Sequence, residues 1–212
     1  MLFSKRLNYL RIGVGSFLIA VAVALLFGAS LSREQTNLSS KLIRLHVVAS
    51  SDSREDQALK LRVRDAVLET LSAPLAQANS VRAAAEIING DLESARAAAL
   101  REIRAAGYDY NVTAAVTSEA FPTREYDTFT LPAGDYTALR VVIGEGGGQN
   151  WWCVVFPPLC APDGVTYELD GEYGASILLD DDEIKLITDK DGYVIRFKCL
   201  ELLAKLRELI SG

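Results

Sequence analysis

The 212-residue chain holds one histidine, three cysteines, one methionine and six prolines. The lone His46 excludes any multi-histidine metal site and leaves few routes to a Ser–His–acid triad. Three cysteines are too few for a disulfide scaffold, and no CxxC pair or metal-ligand spacing is present. With fifteen glycines and six prolines the chain is neither collagen-like nor of low complexity. The only glycine-rich stretch, GEGGGQN at 144–150, lacks the GK[ST] ending of a phosphate loop and is negatively charged. No motif calls for a cofactor or a metal. Basic residues are scarce after residue 33, where 18 stand against 28 acidic ones. That balance argues against nonspecific nucleic-acid binding, which needs surplus Lys and Arg.

Half of the residues are hydrophobic and about a quarter are charged, enough for a sizeable core. Lys5, Arg6 and Arg11 precede an uncharged run at 12–32, IGVGSFLIAVAVALLFGASLS. As a helix it spans about 30 Å, the thickness of a hydrocarbon core. The basic start and the small residues Gly28, Ala29, Ser30 and Ser32 fit a cleavable secretory signal equally well. Both readings imply export, and cleavage against retention stays open. Export permits disulfides and removes ready access to ATP or NAD. The domain reading is a signal peptide or transmembrane anchor over 1–32, a linker over 33–40, and one extracytoplasmic domain over 41–212.

Lys41–Ala49 reads as a strand with Ile43, Leu45 and Val47 on one face. Ser53 and Asp56 mark a helix start, and that helix should end near Leu71, before Pro74. Ser80–Asn89 is a second helix, and Asp91 can cap a third that reaches Ala106. Tyr108–Ser118 alternates as a half-buried strand. Strands follow over Asp127–Leu131, Asp135–Gly144 and Trp151–Phe156, with a Pro132–Gly134 turn and a glycine connection between them. Asp180–Glu183 suits a solvated acidic turn. Val194–Ile210 starts extended and becomes an amphipathic helix that holds Cys199. The expected fold is α+β. It has a mostly antiparallel sheet with helices packed on one face, preceded by the N-terminal hydrophobic helix.

Several residues admit two readings. His46 is a functional histidine or a core-edge one, and the acids Asp52, Glu55 and Asp56 near it have a sufficient role at the helix start. Trp151 and Trp152 must point to opposite faces of their strand. Either one is an outward platform or both are covered. Cys153 and Cys160 bracket a Pro157-Pro158 bend, and form a bridge or stay as buried thiols. The glycine run is a flexible hairpin connection or a recognition loop.

The words IRLHVVASSDSREDQALKLRVRDAVL at 43–68, FPTREY at 121–126 and LPAGDYTALRVVIGEGGGQNWWCVVFPPLC at 131–160 resemble the stage II sporulation protein R family of endospore-forming bacteria. The resemblance covers about residues 41–160. It implies an exported signalling protein and no enzyme. Such a protein leaves the forespore for the space between forespore and mother cell. Its implied partner is a membrane-embedded aspartic protease, stage II sporulation protein GA, which processes the mother-cell sigma factor E precursor. An uncleaved N-terminal segment would add the membrane as a partner. The competing readings are an exported cell-wall hydrolase and a carbohydrate-binding envelope module.

Residue types and family words select the same contact segments, 121–126 and 144–152. Arg, Tyr and Trp dominate interface energetics. The expected partner-binding residues are Arg124, Tyr126, Glu145, Asn150, Trp151 and Trp152. Pro122 suggests that the first segment is an exposed corner.

Overall fold

The computed structural model describes residues 2–160 and 178–188. Most of the acidic stretch 161–192 and the amphipathic segment 194–210 with Cys199 lie outside the described residues. The chain forms two compact units, with the N-terminal helix up to Gln35 in one and Thr36–Tyr193 as the other.

Helix α1 spans Leu2–Ser40. From Gly13 onward it is long and apolar enough to cross a membrane. Val14, Phe17, Leu18, Ile19, Val23 and Leu26 are exposed on it. A helix apolar all round suits hydrocarbon or an export signal. The polar stretch 33–40, read as a linker, is the helical end of α1. Within the second unit its last turn is anchored by Leu38, which is fully buried, and by Asn37, whose Nδ2 donates to Glu183 Oε1 at 2.7 Å.

The second unit is α+β, as its pattern predicts. Strands β1 (Ile43–Val48), β2 (Val112–Phe121), β5 (Gly134–Ile143) and β6 (Asn150–Phe156) form one sheet in the order β2-β5-β1-β6. β1 runs parallel to β5, while β1–β6 and β2–β5 are antiparallel. Two short strands, β3 (Arg124–Glu125) and β4 (Thr130–Leu131), pair separately. Helices α2 (Arg54–Leu75), α3 (Val81–Gly90) and α4 (Leu92–Ala105) link β1 to β2 and pack on one face of the sheet. That crossover is what allows β1 a parallel neighbour.

The helix face buries Ile43, Leu45 and Val47 of β1 and Leu139 and Val141 of β5. Against them lie Leu59, Val63, Val67 and Leu71 of α2 and Ala95, Ala99 and Ile103 of α4. The alanines let α4 approach closely. Ser53 caps α2, its Oγ accepting from the Asp56 N–H at 3.1 Å. Ser80 does the same for α3.

Four local expectations are corrected. Asp91 makes no side-chain cap bond at the start of α4. Pro74 lies inside α2 rather than beyond it; so near the C-terminus it breaks the ladder only where the helix is already closing. Asp180–Glu183 is a helix start rather than a turn, with Asp180, Asp181 and Asp182 exposed as expected and Glu183 turned inward. Asp180 caps helix α5 (Asp181–Thr188) and forms a reciprocal box with Glu183, each side chain accepting from the other's N–H at 2.9 and 3.0 Å. Glu183 is buried, and its Oε2 accepts from Lys41 Nζ at 2.6 Å. The glycine connection joins strands that are not neighbours, since β1 lies between β5 and β6. It therefore passes over the end of β1 and is no hairpin.

That crossing explains its glycines. Gly147 and Gly148 donate to the Ser50 and Ala49 carbonyls at 3.1 and 3.0 Å. A Cβ on Gly148 would lie 2.2 Å from the Ser51 carbonyl oxygen. Gly144 and Gly146 hold φ of +57° and +66°, where L-residues are strained. The run is packed against the β1–α2 turn, and close approach, not flexibility, accounts for the composition.

Candidate partner-binding site

On the face of the sheet away from the helices, the register brings His46 of β1 beside Trp152 of β6 and Arg140 of β5. The His46 and Trp152 rings stack with centroids 3.9 Å apart. His46 Nδ1 lies 2.7 Å from Glu119 Oε2, and Nε2 lies 2.7 Å from Asn150 Oδ1. An Asn amide can turn either end to the ring. The imidazole thus links β2 and β6 across β1. Glu119 also meets Arg140 Nη1 at 3.3 Å.

Next to this bridge sits Arg44, fully buried and with no carboxylate partner among the described residues. Its Nη2 donates to Tyr126 Oη at 2.5 Å and its Nε to the Cys153 carbonyl at 3.3 Å. The guanidinium lies 4.3 Å from the Phe121 ring centroid and 5.0 Å from that of Tyr136. Aromatic faces offset part of the desolvation cost of this cation. Burial holds the Tyr126 and Tyr136 phenols above their ordinary range, with Arg44 pulling the other way.

The two expected contact segments meet here. Phe121 packs edge-on against Trp152 at 4.6 Å. Tyr126 Oη donates to the Trp152 carbonyl at 3.3 Å, and Arg124 lies 5.8 Å from the Trp152 ring centroid. The corner is exposed at Pro122, Arg124 and Glu125 as expected, while two of its aromatic residues turn inward. Phe121 is buried and Tyr126 largely so, its hydroxyl already engaged, because both build the Arg44 cage. Arg124 and Asn150 remain exposed, and Trp152 is half-buried. Glu145 is exposed on the glycine connection, whose neighbours are Ser50 and Ser51 rather than Trp152.

Trp151 points to the helix side, as strand alternation requires. Arg64 of α2 covers its ring at 4.4 Å, so it belongs to the packing between sheet and helix. Trp152 has His46 on its ring and Arg124 near it, which leaves little free face for a stacked sugar.

Cys153 and Cys160 are joined by a disulfide, with Cα atoms 6.2 Å apart. The bridge fastens the segment after β6 beside the strand that carries Trp152. Glu119, Arg44 and Arg140 escaped the sequence reading. Glu119 is legible only as a polar position on an alternating strand, and its meeting with His46 depends on only β5 lying between β2 and β1.

Among the described residues no group of His, Cys, Asp and Glu is arranged to hold a metal ion. The cluster presents an arginine, an amide and an aromatic edge side by side, and Arg and Trp are residue types enriched at interface hot spots.

The model of the stage II sporulation protein R family matches residues 39–166, from the end of α1 through β6, and the chain belongs to that family. It is 36% identical over 126 residues to stage II sporulation protein R of Bacillus subtilis (strain 168). That alignment covers 59% of this chain and 56% of the relative, so the chain spans just over half the length of the curated protein it matches. No solved structure matches it.

Proposed function

We propose that this chain is an exported signal that activates the membrane-embedded aspartic protease stage II sporulation protein GA. Activation triggers processing of the mother-cell sigma factor E precursor. Membership of the stage II sporulation protein R family over residues 39–166 carries this reading. The N-terminal apolar helix supports it, being compatible with an export signal or an anchor. The protein acts by contact: it must bind the active form of the protease more tightly than the inactive one. The contact centre is Arg124, Asn150 and the outer edge of Trp152. His46, Glu119 and the Arg44 cage hold these in place.

The test is co-expression of the protease, the sigma precursor and this chain. Processing should require the N-terminal segment, and should be restored when a foreign export signal replaces residues 1–32. Processing that is the same with and without the chain would sink the proposal.

A further inference from the structure

Strand β2 is ten residues long and lies at the edge of the sheet, with β5 as its one neighbour among the described strands. Its pairing with β5 runs without a break from Val112↔Ile143 to Phe121↔Gly134. Soluble proteins ordinarily guard such an edge with a lysine, a proline, a bulge or a covering element. β2 reads VTAAVTSEAF and carries none of the first three. Its one charged side chain, Glu119, is turned to His46 and Arg140. Thr113, Ala115, Ser118 and Ala120 are exposed, and no described element covers the strand there. These side chains are small and leave the row of outward N–H and C=O groups accessible.

We propose that β2 receives an extended strand of the partner, extending the sheet by one. This rests on the reading of the chain as a protease activator and specifies how the contact is made. The charge beside the edge defines the incoming segment. Arg140 sits on β5 directly across from Ala115, and its side chain is 47% exposed. It shares Glu119, its one carboxylate partner among the described residues, with His46. Ala115 is too small to block it, and the two strand spacings of about 4.8 Å each from β5 to the incoming strand can be spanned by an arginine together with a carboxylate side chain reaching back. The partner strand therefore carries an Asp or Glu facing Arg140, and small or β-branched residues elsewhere.

The experiment uses the full chain co-expressed with protease and precursor, comparing Ala114→Pro, Ala115→Pro and Arg140→Ala. Successive N–H groups on an edge strand point to opposite sides. One proline variant therefore removes an outward N–H and spares the β5 ladder, and the other breaks the ladder. The first should melt within a few degrees of wild type yet process the precursor at least tenfold more slowly. Arg140→Ala should slow processing several-fold. A folded proline variant with wild-type processing overturns strand addition while leaving the activator reading intact. Self-association that this variant abolishes without changing processing would assign the edge to a second copy, and also overturns it. A wild-type chain that supports no processing defeats the activator reading and this inference together. Amide exchange provides a check free of the prolines. Alternate amides of Val112–Phe121 should exchange readily in the isolated chain and slow at least a hundredfold in the detergent-solubilised complex. Unchanged exchange in the complex refutes the proposal.

Discussion

Replacing Gly148 by alanine tests whether the glycine connection is a rigid fastening or a mobile loop. The new Cβ would sit 2.2 Å from the Ser51 carbonyl oxygen, 2.5 Å from the Ser51 carbonyl carbon and 3.0 Å from the Ala49 Cβ. Two of these neighbours are backbone atoms, so no side chain can swing away. Relief requires the connection and the β1–α2 turn to separate by roughly 1 Å, at a cost of about 2–3 kcal/mol. The Gly147 and Gly148 bonds to Ser50 and Ala49 would lengthen with it. Gly90→Ala is the matched control. Nothing lies within 4 Å of its Cβ position, and the substitution should stabilise by about 0.4–1 kcal/mol through the unfolded chain. Thermal unfolding of the full chain in detergent, followed by circular dichroism, reads both. For a unit of this size ~1 kcal/mol moves the midpoint by about 2–4 °C. Gly148→Ala should therefore melt about 5–10 °C lower and Gly90→Ala slightly higher. If both melt within a degree or two of wild type, the connection yields freely and the close-approach argument is wrong.

Arg44→Lys should destabilise by ~3 kcal/mol or more, because an ammonium cannot stack in the cage of Phe121, Tyr126 and Tyr136. Arg44→Met should cost less, since it removes the buried cation itself; urea unfolding that ranks them the other way refutes the cage account. The folded Tyr126 and Tyr136 phenols titrate above their ordinary value of 10.0. Above about pH 10 the unfolded chain therefore loses those protons first, and stability falls as pH rises. Tyr136→Phe should flatten that fall in denaturant unfolding measured across the alkaline range. His46→Gln loses the Trp152 stack and cannot bridge Glu119 to Asn150. It should cost about 1–2 kcal/mol and weaken signalling only in proportion, as read by melting and precursor processing together. Complete loss of signalling in a stable His46→Gln protein would point to chemistry at the imidazole.

The features legible in the sequence are those that local periodicity controls. The opposite directions of Trp151 and Trp152, the Ser53 and Ser80 starts and the helical stripe through Leu59, Val63 and Val67 all follow from spacing. The α+β class follows from the order of those elements. What spacing cannot report is which strands become neighbours. β1 entering between β5 and β6 turned an expected hairpin into a crossover, and made the glycines contact residues. The same insertion set His46 between Glu119 and Asn150, residues 73 and 104 positions away. Arg44 reads as an outward polar position on an alternating strand. It is buried because the 121–136 segment folds back over it, and no local pattern signals that. Tyr126 is turned inward by the same fold, which its place in the sequence does not show. Composition placed Asp180, Asp181 and Asp182 in solvent correctly but not Glu183. Asp180 and Glu183 are a cap and a buried partner of Lys41.

The contact surface is tested most directly by site-specific crosslinking. A photoreactive residue is placed at Arg124 in one protein and at Arg82, exposed on α3, in another. Each is co-expressed with the protease and illuminated during precursor processing. The account predicts a crosslinked pair of chain and protease from position 124 and none from position 82. Crosslinking from position 82 alone, with both proteins active, would place the contact on the helical side and contradict it.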